Sequence, residues 1–310
     1  MQLTSISSKY PVFVKTCELL RQSFFYKDIE TLIERTPIDI ELAEKMCTSA
    51  LILCGNDWGV YEGKLNNLYQ LNMDFLKLQA ELERTGKYKY SSFKEVEEAV
   101  FFQEDGSHGV GYLWGLYFSQ IFWVIHHRLL HFFLNDFVLI QQQKGIVLEV
   151  PVGSGVFLAS FLEKLQGWQG VGLDLSESAV NMSSSLFRLK GFEDVEVLQQ
   201  DFLMYESDNR FDAIICGELI EHVEDPLLVL RKIHTLLNEQ GKVFITTVVW
   251  AAGIDHIYLY KSANEIRCHL QEAGFLIEKE LIQPVFEKDK NRLDEERVAL
   301  NYAAVLVKQI

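Results

Sequence analysis

Two rhythms of apolar residues divide this chain. Up to about residue 140 they recur at helical steps, and no run alternates as a strand would. The pattern predicts helices over Val12–Tyr26, Ile38–Leu53 and Tyr61–Arg84, the last carrying Leu65, Leu68, Phe75, Leu78 and Leu82 and closing at Gly86. A short acidic segment, Phe93–Gln103, follows. Beyond a break at Gly106, Gly109 and Gly111, a long aromatic helix is expected to run to about Ile140. Past the polar stretch Gln141–Gly145, short apolar runs alternate with amphipathic helices. Strands are expected at Ile146–Val150, Gly170–Leu173, Val195–Leu198, Phe211–Cys216, Lys242–Thr247, Phe275–Glu280 and Ala299–Val307. Ser176, Asp225-Pro226 and the pair Ser262/Glu265 read as helix starts, and Gly191 and Gly274 as helix ends. The result is an α/β fold, a seven-stranded and mostly parallel sheet with helices on both faces, preceded by an all-α region. The expected domains are 1–140, a helical cap serving substrate recognition or dimerisation, and 141–310, the α/β unit.

Composition narrows the function classes. The 310 residues are 48% hydrophobic and 24% charged, enough to bury a core, which rules out wholesale disorder. Lys plus Arg number 29 against 44 Asp plus Glu, a net charge of −15, which argues against nucleic acid or an anionic membrane as partner. Five cysteines without a C-x-x-C pair point to a reduced, cytoplasmic protein. No export signal is visible at the start, and the one membrane suspect, Val110–Ile125, is shorter than a bilayer span.

The chemistry concentrates at the ends of the expected strands. Val147-Leu148-Glu149-Val150-Pro151-Val152-Gly153-Ser154-Gly155 is a strand entering a glycine turn and then a helix, where backbone can approach a ligand beside a helix N-terminus. The second strand ends at Asp174, placed to accept hydrogen bonds from ribose hydroxyls. After the third come Asp201 and Phe202, an acid for an adenine amino group and a ring beside it; the fourth ends in Gly217-Glu218. A dinucleotide reading would need glycine where Leu158 stands.

These residues, in this order and spacing, resemble the class I S-adenosylmethionine-dependent methyltransferases from about residue 146 to the C-terminus. The resemblance implies a Rossmann-like domain that uses S-adenosyl-L-methionine and releases S-adenosyl-L-homocysteine. It carries the methionine moiety onto Glu149, Gly153 and Gly155, the ribose onto Asp174 with Leu175, the adenine onto Asp201 and Phe202, and the segment after the fourth strand onto Gly217 and Glu218. Pro151 departs from the family's loop, which has glycine there, and removes one backbone donor.

Glu218-Leu219-Ile220-Glu221-His222 resembles the E-x-x-E-H segment of ubiquinone-type O-methyltransferases and of small-RNA 2′-O-methyltransferases, in which glutamates and histidine can hold a divalent metal. On a helix, Glu218, Glu221 and His222 would face one point. With His256 they form the alternative metal set, against the reading in which the histidine is structural or acts as a base. His222 and His256 are the candidate general bases, with Asp255 as an orienting partner for His256. His126, His127 and His131 read as the polar side of the aromatic helix. That helix has two readings: Trp114, Tyr117, Phe118 and Trp123 roof an acceptor pocket, with Tyr258 and Tyr260 as further contacts, or they pack between the two halves. The stripe on Tyr61–Arg84 reads as packing or as a homodimer surface.

The expectation is a methyltransferase moving a methyl group to an oxygen or nitrogen of a small, fairly apolar metabolite of secondary-metabolite or quinone-like type, with a histidine base. One rival is a metal-dependent O-methyltransferase. Another is a non-catalytic relative that docks a partner protein, supported by Pro151.

Overall fold

The computed structural model describes residues 3–35, 38–101 and 109–309, so the expected break at Gly106 and the end of the Phe93–Gln103 segment lie outside the described residues. The first half is helical: α1 (Pro11–Leu20), α2 (Ile29–Arg35), α3 (Ile40–Leu53), α4 (Trp58–Thr85), α5 (Phe93–Val96), α6 (Val110–Phe122) and α7 (Val124–Phe132). Asp57 caps α4 by accepting the Gly59 and Val60 N–H groups, and Gly86, at φ 72°, ends it in the left-handed region.

The expected single aromatic helix is two. Trp123 adopts an extended conformation, φ −92° and ψ 119°, and splits α6 from α7 with neither proline nor glycine at the break. None of the described helices is long and apolar enough to cross a membrane.

The second half follows the expected alternation. Its strands are β1 (Lys144–Glu149), β2 (Gly167–Asp174), β3 (Val195–Gln199), β4 (Phe211–Gly217), β5 (Leu237–Val249), β6 (Phe275–Pro284) and β7 (Leu300–Lys308). Its helices are α8 (Val156–Lys164), α9 (Glu177–Leu189), α10 (Pro226–Leu236) and α11 (Ala263–Glu272). The seven strands lie in the order β3-β2-β1-β4-β5-β7-β6, parallel except for β7, which runs against both neighbours. The expected caps are present: Ser176, Asp225 and Ser262 each accept a backbone N–H of the first turn.

Period-two alternation sends neighbouring strand residues to opposite cores. Val147 and Ile215 join a cluster with α8, α9 and the N-terminal helices, whereas Leu148 and Ile214 join α10 and α11. The helical half and the sheet therefore share one hydrophobic cluster, tied by Phe133, whose ring lies 4.9 Å from Phe157 and 5.0 Å from Phe244. In the α4 stripe Leu65, Leu68 and Leu82 are buried in the chain, as is Tyr61 at its start, while Phe75 and Leu78 are partly buried. At its end the Gln79 amide clamps the loop after β5, donating to Trp250 O at 3.0 Å and accepting from Ala252 N–H at 2.9 Å.

Gly155 is needed where β1 turns into α8. Its φ is +77°, and an added Cβ would meet Ser183 Cβ at 2.9 Å and the Phe187 ring at 3.0 Å. Gly155→Ala is expected to cost about 2–4 kcal/mol, combining left-handed strain with overpacking, read as a lowered urea midpoint. A midpoint equal to that of the unmodified chain would contradict this account of the turn.

Candidate functional site

Strand order reverses between β1 and β4, and the carboxyl ends of those two strands mark the usual ligand position in an open α/β sheet. A cavity of about 1500 Å³ begins there and continues beneath the helical half. Among its walls are Glu149, Gly153, Asp174, Leu175, Asp201, Phe202, Gly217 and Glu218. Gly155 is absent from the wall and shapes the turn behind it.

Asp174 organises this end. One carboxylate oxygen accepts the Gly153 N–H and the other the Ser176 N–H, each at 2.9 Å, so the turns after β1 and β2 are held to one side chain. Glu149 is buried and accepts the Leu158 N–H at 3.0 Å; burial raises its carboxyl well above the ordinary range despite that bond. Asp201 accepts the Leu203 N–H at 2.8 Å and stays exposed, beside the buried Phe202 ring, while Leu175 stands exposed at the rim. The Val150–Pro151 peptide is cis, and the turn passes through Pro151 without the donor that glycine would bring.

A second group of side chains meets at the ends of β4 and β5. Glu218 has a positive φ of 51°, and its N–H is held by Thr246, from both the carbonyl and the hydroxyl at 3.1 Å. Only one 3₁₀ turn, Ile220–His222, follows, so the expected helical alignment of Glu218, Glu221 and His222 does not form. Instead Glu221, His222 and His256 bring ligand-type atoms within 4.8 Å of one another, without Glu218. Glu221 accepts from Thr247 Oγ1 at 2.8 Å, and its backbone carbonyl takes the N–H groups of Ile257 and Tyr258, which draws the loop after β5 onto the loop after β4.

Asp255 pairs with His222 rather than His256, its Oδ2 lying 2.9 Å from His222 Nδ1. His256 is held through Nδ1 by Ala251 O at 3.2 Å and the Tyr88 hydroxyl at 3.3 Å. The two imidazoles stand perpendicular with centroids 4.8 Å apart. Their protonation is driven in opposite directions. Burial pulls His222 down, but the Asp255 carboxylate, followed by Glu221 and Glu218, overrides it and holds His222 at about 9. Burial, and then the His222 charge, pushes His256 down to about 4. Burial and the Glu221 carboxylate keep Glu218 well above the ordinary range.

A methyltransferase-domain profile matches residues 122–280, just over half of the chain. The chain belongs to this methyltransferase family. A ubiquinone biosynthesis O-methyltransferase of Xanthomonas axonopodis pv. citri (strain 306) is 29% identical over 183 residues, covering 52% of this chain and 75% of that protein. Another, of Stutzerimonas stutzeri (strain A1501), is 28% identical over 103 residues, 33% of this chain, and there the match spans only 44% of the relative. Among solved structures, the N-methyltransferase NodS of Bradyrhizobium japonicum WM9 in complex with S-adenosyl-L-homocysteine is 12% identical with a TM-score of 0.49, covering 70% of this chain and 99% of that one.

In this member of the family most of the aromatic helix turns its faces otherwise than expected, although Trp123 does meet the cavity. Trp114, Tyr117 and Phe118 do not line the cavity; they are buried against Tyr61 and Met46 in the helical core, with the Tyr117 hydroxyl donating to Met46 O at 2.9 Å. The neighbouring stripe of α6, Tyr112, Leu116 and Gln120, reaches the cavity instead, one face of a helix being a quarter-turn or so from the next. Tyr258 also lies off the cavity, packed on Tyr260 and His269 with its hydroxyl on Glu265.

The histidines of α7 do not form a solvated face either. His127 is buried, donating from Nδ1 to Gln120 O and accepting the Asp39 N–H at Nε2, and His126 lines the cavity. Sequence reasoning missed Gln79, Tyr88, Thr246 and Thr247. Only the adjacent threonines at the end of an apolar strand left a local trace, since hydroxyls there need partners.

Proposed function

We propose that this methyltransferase-family chain transfers a methyl group from S-adenosylmethionine to an oxygen or nitrogen of a small, fairly apolar acceptor bound beneath the helical half. The observation that carries the reading is the lining of the cavity. Acidic side chains gather at its sheet end, Asp174 and Asp201 together with the buried Glu149 and Glu218, whose raised carboxyls a cation would favour in ionised form, while no lysine or arginine among the described residues lines it. Such a lining suits a ligand that is cationic at its sulfonium and amino group, and disfavours phosphate-bearing dinucleotides or nucleic acid.

Glu149 then faces the ammonium of the methionine moiety, the Gly153–Gly155 turn gives close backbone approach, Asp174 and Leu175 bound the ribose, and Asp201 and Phe202 the adenine. The bound donor supplies an electrophilic methyl group. What remains for the protein is to hold the acceptor in line and manage its proton. Neutral His256, with Nδ1 committed, offers Nε2 as the proton acceptor. Cationic His222, fixed by Asp255, stabilises the negative charge that develops on the acceptor atom.

A second reading has its own observation. Glu218 Oε1 and Glu221 Oε1 are buried without a hydrogen-bond partner among the described residues, and both histidines are oriented through Nδ1 as metal-ligating histidines commonly are. Glu221, His222 and His256 fit a divalent cation, which would orient the acceptor and lower its pKa.

Calorimetry of the chain with S-adenosylmethionine and S-adenosylhomocysteine, before and after chelation, tests both. Micromolar binding of both ligands is expected. Failure of either to bind would refute the donor assignment and leave the partner-docking alternative. Turnover lost on chelation and restored by Mg²⁺, Mn²⁺ or Zn²⁺ would replace the base reading with the metal one.

A further inference from the structure

The break between α6 and α7 builds a histidine into a largely aromatic part of the cavity wall. Extended at Trp123, the chain turns that residue and His126 toward the cavity, ring centroids 4.8 Å apart. Phe75 and Phe286 continue the wall, with centroids 6.0 Å from Trp123 and 6.1 Å from Phe75 respectively. Gln120 Oε1 is buried on the same wall without a hydrogen-bond partner among the described residues, whereas the polar groups beside Trp123 are already paired. Trp123 Nε1 donates to Asn72 Oδ1 at 3.1 Å, and the Asn72 amide nitrogen donates to Leu68 O and the Tyr26 hydroxyl.

His126 differs. Ser119 is fully buried and its hydroxyl donates to Leu116 O at 2.7 Å, so the same oxygen can only accept from His126 Nδ1, also at 2.7 Å. The proton is thereby fixed on Nδ1. Burial keeps the ring neutral, its pKa pushed down to about 4. Nε2 is left as a hydrogen-bond acceptor, and no group among the described residues bonds to it.

We infer that His126 Nε2 is a second recognition point for the acceptor, selecting an aromatic or similarly apolar molecule that carries a hydroxyl or amine donor in addition to the methylated group. The inference rests on the small-molecule methyltransferase reading and narrows its substrate class. A ligand that fills this end of the cavity displaces water from Nε2. If it brings no donor, the acceptor is left unsatisfied in an apolar site, the situation in which hydrogen-bonding pockets discriminate most strongly.

The test is calorimetry on the full chain saturated with S-adenosylhomocysteine, using matched pairs: naphthol against dihydroxynaphthalene, and hydroxybiphenyl against dihydroxybiphenyl. The dihydroxy member of at least one pair is expected to bind about tenfold tighter or more. In His126→Phe that advantage should fall below about twofold, and in His126→Gln, which keeps an acceptor of similar reach, part of it should return. Equal affinity within both pairs, no binding by any member, or an advantage that survives in His126→Phe overturns the inference.

Should His126→Phe fail to fold, ¹⁵N spectra of the unsubstituted chain decide. They should give a neutral ring protonated at Nδ1, whose Nε2 resonance moves with the dihydroxy ligand and not with its partner; any other pattern overturns it. Binding of S-adenosylhomocysteine, measured first, separates the two claims, because its absence sinks the methyltransferase reading itself.

Discussion

Asp174→Ala is expected to weaken binding of S-adenosylmethionine and S-adenosylhomocysteine by about a hundredfold or more, with little change in thermal midpoint. Two losses combine. The carboxylate accepts one backbone N–H on each oxygen, from Gly153 and Ser176, and in the proposed donor site it also meets the ribose hydroxyls. Alanine would remove the proposed ribose contacts and free the glycine turn, so ligand binding would have to supply the ordering that Asp174 now supplies in advance. Asp174→Asn should be nearly as damaging, since one oxygen becomes an amide NH₂ that confronts a backbone N–H. Calorimetry with the product checks both variants. An affinity within about threefold of the unsubstituted chain would remove Asp174 from the donor site.

For His222 and His256 the expected result is the reverse: donor affinity unchanged, and turnover reduced about a hundred- to ten-thousandfold in either alanine variant. The pH dependence carries more information. His256 must be neutral, which holds above its pKa of about 4, and His222 must be cationic, which holds below about 9. Activity should therefore rise with pH through the first value, stay level, and fall through the second. Asp255→Asn removes the partner that holds His222 up against burial, so the falling limb should move toward lower pH. A limb that stays in place in Asp255→Asn would show that His222 protonation does not govern turnover. A His256→Ala variant with full turnover would dismiss it as the proton acceptor.

Much of this molecule is written locally. Each strand of the sheet announces itself within its own apolar run, and the caps at Ser176, Asp225 and Ser262 act within one helical turn. The glycine turn and the acids at strand ends are likewise short-range signals. Strand ends converge on the usual ligand position whatever the loops do, so Glu149, Asp174, Asp201 and Glu218 could be placed in one cavity from the sequence pattern.

The reactive end obeyed a different logic. Asp255 meets His222 across 33 residues and Gln79 meets Trp250 across 171, contacts with no periodic signature on either side. Glu218 was expected to share a helix with its neighbours, but its N–H is claimed by Thr246 on the adjacent strand, and the segment is drawn out into a single turn.

The acceptor wall shows the same division between sequence and structure. Local sequence determined that residues 110–140 would be helical and aromatic. Trp123 meets the cavity as its place in that helix suggested, but only tertiary packing decided that Trp114, Tyr117 and Phe118 face the helical core, that the helix breaks at Trp123, and that Leu116 and His126 face the cavity. The physical reason is that a protein core and an apolar ligand pocket ask for the same side chains. A helix apolar on most of its faces does not encode which face meets protein and which meets ligand, and the surrounding elements make that choice.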